Sequence, residues 1–556
     1  MSIHNTETTN WICNGPRNNR HPEEDVLPNE RCPICDRDRA TAKQEEEERQ
    51  KTLPLTLFQV LVVFLIAFLG GLLVWLFSSQ SDKPDPNVNS DPSQNNAPSI
   101  IETAPNVNSD PNQNPDTSKI VTNPNDYPWE PDRFTKGQRT LFFWEGNTFR
   151  KDGINAFKKQ EYTSAVEFFE KAVNVSRNDP EVLILYNNAK ARQQGNPLTL
   201  AAVVPVEEKA TSAKEMLRGI AMAQDKFNDS GGANGRLLEI VIANDGNEID
   251  NAKKVADQLV NDKSILGVIG HNASGASEAG LEIYEPNSLA MISPTSTSTS
   301  LESRVFFRTV PSDAAAGEKL AQHVAASLGL TKAVVFWNPN SPYSESLADA
   351  FTSNFEKNFN GTVVKKIDIS NSELNIDNEL STSIVINNAQ AALLFPNTGY
   401  TSVATAIAQA NAKIKSTQRL KLLGGDALYS PTTLKDGGKA VEDLILAVPW
   451  FRDSPQSQLF KTAGKEQWRA SINWRTAMTY DATQAFIEVF LDNPNPDRNS
   501  TLKGLEQIQL SSDETSGKAL KFTSQGERNG EPVLVKATRD AINRPQGSDF
   551  GFELVK

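Results

Sequence analysis

Between residues 198 and 556, short apolar runs alternate with longer stretches of helical period. LTLAAVVPV from Leu198, LEIVIA from Leu238, ILGVIG from Ile265 and AMIS from Ala290 have strand length and are bounded by Gly, Pro, Asn and Asp. KEMLRGIAMAQDKFNDSGG, from Lys214, reads as a helix closed by glycines. After Asp313 the pattern predicts a helix over 314–328, the strand AVVFW, a helix beginning near Ser344, and the strand TVVKKIDI. AALLF, KLLGG and LILAV read as further strands. Strand, helix, strand in this order predicts an α/β fold with parallel pairing through crossover helices. About 350 residues of such pattern exceed one compact core and predict two lobes. Ligands of such sheets sit beyond the carboxyl ends of the strands, where Ser274 and the run Thr295, Ser296, Thr297 fall.

The amino-terminal third follows other rules. Residues 53–77 form an uncharged apolar run, long enough to cross a hydrocarbon core of roughly 30 Å as a helix. Basic residues crowd its amino side, which predicts residues 1–52 in the cytoplasm and the carboxyl part outside, periplasmic or extracytoplasmic. Residues 78–133 are rich in Pro, Asn, Asp and Ser and carry a near-duplicate, PNVNSDPSQN and PNVNSDPNQN, as expected of a disordered linker. Residues 134–195 are helical in pattern. Gly153, Phe157, Tyr162, Ala165, Phe169 and Ala172 fall at the small and aromatic positions of a helix hairpin, resembling a tetratricopeptide repeat. One such unit cannot bury its apolar face alone, so it is either a plain hairpin packed on the next domain or a module for a protein partner.

A formal net charge of −13, with no basic stripe, argues against a nucleic-acid partner. All three cysteines precede residue 40. Cys13, Cys32 and Cys35 could hold a structural zinc with His21 or His4, the alternative being free thiols in a short tail. GHNASG does not complete a nucleophile elbow, HExxH is missing, and LKDGGKAV lacks the phosphate-loop pattern, so a binding protein is expected rather than an enzyme.

GGANGRLLEIVIANDG, ILGVIGHNAS, MISPTSTS, FFRTVPSD, TYDATQAF and KFTSQGE stand in an order that resembles the type I periplasmic solute-binding proteins of the branched-chain amino acid (Leu/Ile/Val) family. The resemblance covers nearly all of residues 198–556 and implies two Rossmann-like lobes that close on an amino acid and deliver it to an ABC permease. Ser274, at the mouth of a helix, and Thr295, Ser296 and Thr297 can seat a carboxylate through hydroxyls and free backbone amides. The bland alternative is a helix cap and a loop. The resemblance places Asp426, in LLGGDALYS, as the acid that grips the α-ammonium. It also places Tyr343 as an aromatic that closes the pocket, although Ser344 stands where the family has Gly, and puts Tyr400, or Asn397 or Thr398 beside it, near a second aromatic position. The resulting expectation is a membrane-anchored solute-binding protein of an amino acid importer. An envelope regulator that uses the helical repeat to bind a partner such as a peptidoglycan synthase is the alternative.

Overall fold

The computed structural model describes residues 11–13, 24–26, 133–142, 147–493, 495–545 and 547–555. The apolar run at 53–77, the linker up to residue 132, and the zinc candidates His4, His21, Cys32 and Cys35 lie outside the described residues. Cys13 ends a short strand, β1 (Trp11–Cys13), which pairs antiparallel with β2 (Glu24–Val26). Among the described residues, no helix is long and apolar enough to cross a membrane.

From residue 133 the chain enters the first lobe through β3 (Phe134–Thr135) and three helices, α1 (Thr148–Lys158), α2 (Tyr162–Val175) and α3 (Pro180–Gln194). β4 (Leu198–Val204), α4 (Ala210–Asp229), β5 (Leu238–Asn244), α5 (Ile249–Asn261), β6 (Ile265–Ile269), α6 (Ser274–Tyr284), β7 (Met291–Ser293) and β8 (Phe306–Arg308) complete a six-stranded sheet ordered β3-β5-β4-β6-β7-β8. Every residue of β4, β5 and β6 is buried, as continuous apolar strands covered on both faces require.

The chain then crosses to the second lobe. There α7 (Asp313–Gln322), β9 (Lys332–Trp337), α8 (Pro342–Lys357), β10 (Thr362–Asp368), α9 (Ile376–Ser381), β11 (Ala391–Phe395), α10 (Thr401–Lys413), β12 (Lys421–Gly424), α11 (Pro431–Gly437) and β13 (Ile445–Val448) follow. It returns to the first lobe for α12 (Gln458–Trp468), α13 (Trp474–Asp492) and α14 (Arg498–Leu505), then crosses a third time into β14 (Val533–Thr538) and β15 (Gly551–Leu554). The second sheet is ordered β10-β9-β11-β12-β13-β14-β15.

Both sheets are mixed, which corrects the all-parallel expectation. β3 pairs antiparallel with β5, and β14 runs antiparallel to β13 and β15. The reason is connectivity: β14 arrives from the other lobe, and no crossover helix separates it from β15, so it is free to run against its neighbours. The helix expected over 314–328 keeps α-helical bonding to Gln322 and finishes as a π turn, His323–Ser327.

The helical segment is welded to the first lobe. Phe157, Ala165, Phe169 and Ala172 of the hairpin are buried against Val182, Leu185 and Ala189 of α3. Inside α3, Asn188 donates from Nδ2 to the carbonyls of Lys136 (2.8 Å) and Ile240 (2.7 Å), and its Oδ1 accepts from the Ile240 amide (2.8 Å). One side chain thus replaces part of a strand partner on β5. Arg192 clasps the fully buried Glu239 carboxylate through Nε and Nη2. Arg150 pairs with Asp179 at 2.6 Å and with Glu181, whose carboxylate also accepts from the Leu141 amide at 2.6 Å.

Asn188→Ala leaves those strand groups unpaired in a dry site. The expected loss of stability is about 1–3 kcal/mol, read as a lower urea midpoint with the slope unchanged.

Candidate functional site

The carboxyl ends of both sheets face one cleft, and the first lobe supplies its hydroxyls. Ser274 is the first residue of α6, not its cap: Ala273 holds the cap position without a side-chain bond, and Ser274 Oγ accepts from the Ser298 amide at 3.4 Å. The opening amides of α6 therefore lack a side-chain cap and present positive ends. Thr295 spends its hydroxyl on the Asn272 carbonyl (2.9 Å), and Ser296 shares its own with Ser277 (2.7 Å). Thr297 differs: its carbonyl accepts from the Asp313 amide at 2.8 Å, and its buried hydroxyl lies against the Asp313 carboxyl. The hydroxyl run thus divides into two props for backbone and neighbouring serine and one group turned to Asp313.

Arg308 holds this loop in shape. Its guanidinium donates from Nη1 to the carbonyls of Ser298 (2.8 Å) and Ser296 (3.3 Å), and from Nε to Glu527 (2.9 Å). Its own amide donates to the carbonyl of Gly526, where φ is +74° and a Cβ would stand 2.0 Å from the Phe306 carbonyl. Nearby, Arg528 Nη1 binds the Asp481 carboxylate (2.6 Å) and the Thr309 carbonyl (3.1 Å), and Nη2 donates to the Lys518 carbonyl (2.7 Å). The first and third crossovers are locked together by these two arginines.

The second lobe brings the opposing face. Tyr343, in the first turn of α8, donates its phenol to Asp426 Oδ1 at 3.0 Å. Gly425 makes room for that ring, since a Cβ there would lie 2.4 Å from the phenolic oxygen. Ser344, in the place of the expected Gly, stitches the lobe instead of opening it: its hydroxyl accepts from the Asn338 amide (2.7 Å) and donates to the Phe395 carbonyl. Tyr400 is placed differently from Tyr343. It stands at the cap position of α10 with its ring against the second-lobe core. Asn397 accepts from Asn338 Nδ2 at 3.4 Å, and Thr398 is exposed.

The lobes meet across this cleft. Ser346 of α8 accepts from the Thr299 amide at 2.8 Å. Pro342 lies 3.9 Å from where a Cβ on Gly275 would stand.

Two charged residues converge here that the sequence reading passed over. Asp313, the first residue of α7, is 1% exposed, and its Oδ2 has no hydrogen-bond partner among the described residues. Burial pushes its carboxyl up to about 8; the Thr297 hydroxyl pulls it down, the Asp426 charge adds to the rise, and Ser346 and Arg308 oppose it. Arg475, in the first turn of α13, lays its guanidinium over the Trp474 ring at 4.3 Å, with Nε buried and unpartnered. Burial lowers its pKa, against the pull of Asp426, Glu215 and Tyr343. Asp426 in turn is raised by burial and lowered by Arg475. A lone cation in the first turn of a helix opposes the helix dipole, which was the available signal for Arg475. Asp313 stood in plain view in FFRTVPSD, but nothing in its spacing marked it as buried.

Comparison with known proteins matches residues 199–537 to the family model described as Periplasmic binding protein. The chain belongs to the periplasmic binding protein family. Among curated relatives of the family, it is 30% identical over 155 residues to the Leucine-, isoleucine-, valine-, threonine-, and alanine-binding protein of Pseudomonas aeruginosa, covering 27% of this chain and 41% of that one. It is also 30% identical over 142 residues to the Leu/Ile/Val-binding protein of Escherichia coli K12, covering 25% and 38%. The matched part thus spans about two fifths of those relatives' length. Among solved family structures, an ABC transporter substrate-binding protein of Desulfitobacterium hafniense in complex with Leu superposes with a TM-score of 0.54 at 21% identity, over 64% of this chain and 100% of that one. The closed conformation of the Leucine-, isoleucine-, valine-, threonine-, and alanine-binding protein from Brucella ovis gives 0.58 at 16% identity, over 65% and 95%. These likenesses carry the two-lobed fold.

Asp313 gives the family fold a pH signature here. The unfolded chain ionises it near its ordinary value, whereas the folded protein keeps the proton up to about 8. The folded state therefore binds more protons between roughly pH 4 and 8, and loses stability as pH rises through that window. Asp313→Asn is expected to flatten the stability profile by up to about 1.4 kcal/mol per pH unit. Denaturant melts at several pH values measure it, and equal slopes in both proteins would show that burial does not hold the proton.

Proposed function

We propose that the protein captures an amino acid between its lobes, outside the cytoplasm, and passes it to an ABC importer, with residues 53–77 keeping it at the membrane. The observation that carries this reading is the opposed chemistry of the cleft: uncapped α6 amides, Ser274 and the Thr297 hydroxyl on one lobe face the Tyr343–Asp426 pair on the other. The first group suits an α-carboxylate and the second an α-ammonium. Relatives named for leucine, isoleucine, valine, threonine and alanine binding support the ligand class.

The side chain of the ligand meets charge as well. Arg475 and Asp313 both lie in the cleft, and leucine packed against them would remove water from ionisable groups without replacing its hydrogen bonds. We therefore infer a small or polar amino acid rather than a large aliphatic one. The binding itself involves no bond-breaking chemistry.

Calorimetry of the full-length chain against the common amino acids is the test. A polar or small member of the panel is expected to bind more tightly than leucine. Asp426→Ala is expected to weaken binding by about 1.5–3 kcal/mol, roughly 10- to 150-fold in Kd. A panel without any binder would sink the amino acid reading, whereas leucine at the top of the ranking would sink only the side-chain inference.

A further inference from the structure

A second concavity lies behind the hinge. A cavity of about 660 Å³ opens between α7 with its π turn, the third crossover and the last two strands, and none of its lining residues belongs to the cleft. Its volume falls in the range of about 300–1,000 Å³ usual for small-molecule sites. Lys319 and Lys518 stand on its wall with His323, while Pro532, Leu534 and Val555 contribute apolar surface.

The polar groups there are incompletely matched. His323 is 9% exposed, and its Nε2 is buried with no partner among the described residues. Burial lowers its pKa, so at neutral pH the ring is uncharged and has one hydrogen bond to give or take. Lys518 Nζ donates to the backbone carbonyl of Glu531 at 3.1 Å. The Glu531 carboxylate goes instead to Lys319, at 2.8 Å, and its side chain is 76% exposed, a pairing that water holds weakly. Burial, reinforced by the Arg528 charge, pushes the Lys518 ammonium down to about 8. A nearby anion would reverse that shift.

We propose that this cavity binds a small organic acid, its carboxylate held by Lys518 and Lys319 and its apolar body resting on Leu534 and Val555, which pack on the same face of the sheet. Two cations, one already engaged by Glu531, and a neutral imidazole suit a monocarboxylate with an apolar body better than a phosphate dianion. Location adds a consequence. Lys518 precedes Leu520 and Phe522, which are buried in the first-lobe core, whereas Lys319 and the apolar residues belong to the second-lobe side. An occupant therefore touches both sides of the hinge.

Benzoate and inorganic phosphate, titrated separately into the full-length protein by calorimetry, test the assignment. Saturable benzoate binding is expected in the native protein and in Asp426→Asn, at least tenfold weaker binding in Lys518→Met and in Leu534→Glu, and no phosphate binding at the same concentration. Melting curves confirm that each variant is folded. Absence of benzoate binding, or binding unchanged in Lys518→Met, overturns the site. Loss in Asp426→Asn alone assigns the benzoate to the cleft, and phosphate binding as tight as benzoate overturns the organic-acid class.

Discussion

The guanidinium of Arg308 is the contact on which the rest of the molecule depends. It is 2% exposed and satisfies carbonyls at Ser296 and Ser298 while pairing with Glu527 from the third crossover. A buried cation of this kind has to be matched completely, or it destabilises its surroundings. Matching it requires the hydroxyl loop and the hinge to be in place together. Arg528 repeats the device one step away, joining Asp481 of α13 to the first crossover and to the Lys518 carbonyl. The shape of the site is thereby coupled to the crossovers that join the lobes.

The cleft combines groups that burial alone would not tolerate. Asp313 and Asp426 are both pushed toward the neutral form, and Arg475 moderates Asp426. Solvent is replaced on the first lobe by aligned amides and the Thr297 hydroxyl, and on the second by a phenol that donates to the carboxylate. Such a site is polar by construction yet shielded from water, the condition in which a bound ion contributes most.

Most of the architecture was legible because continuous apolar strands separated by helical periods leave few alternatives. Leu198, Leu238 and Ile265 each begin a strand where the pattern put one. What escaped was long-range. The two-residue strand β3 has no period to detect, and the antiparallel β14 and β15 follow from a crossover that local sequence does not encode. In the cleft, Ser274 and Thr297 could be named from their places after strands, and Tyr343 and Asp426 from the family resemblance. The division of labour within the hydroxyl run could not, because it depends on which partner each oxygen finds in space: Thr295 reaches Asn272, Ser296 reaches Ser277, and Thr297 faces the Asp313 carboxyl. Tyr400 shows the same limit, since a cap position and a core-facing ring come from the turn geometry before α10.

The bonding of α3 to β5 has a mechanical meaning. Through Asn188 and Arg192, the helices that join the body to the chain before residue 133 form one rigid piece with the first sheet. A load applied at residue 133 therefore enters the molecule through the first sheet. The helical segment is then a brace laid along the first sheet, and it stiffens the lobe that carries the Ser274 and Thr297 side of the cleft.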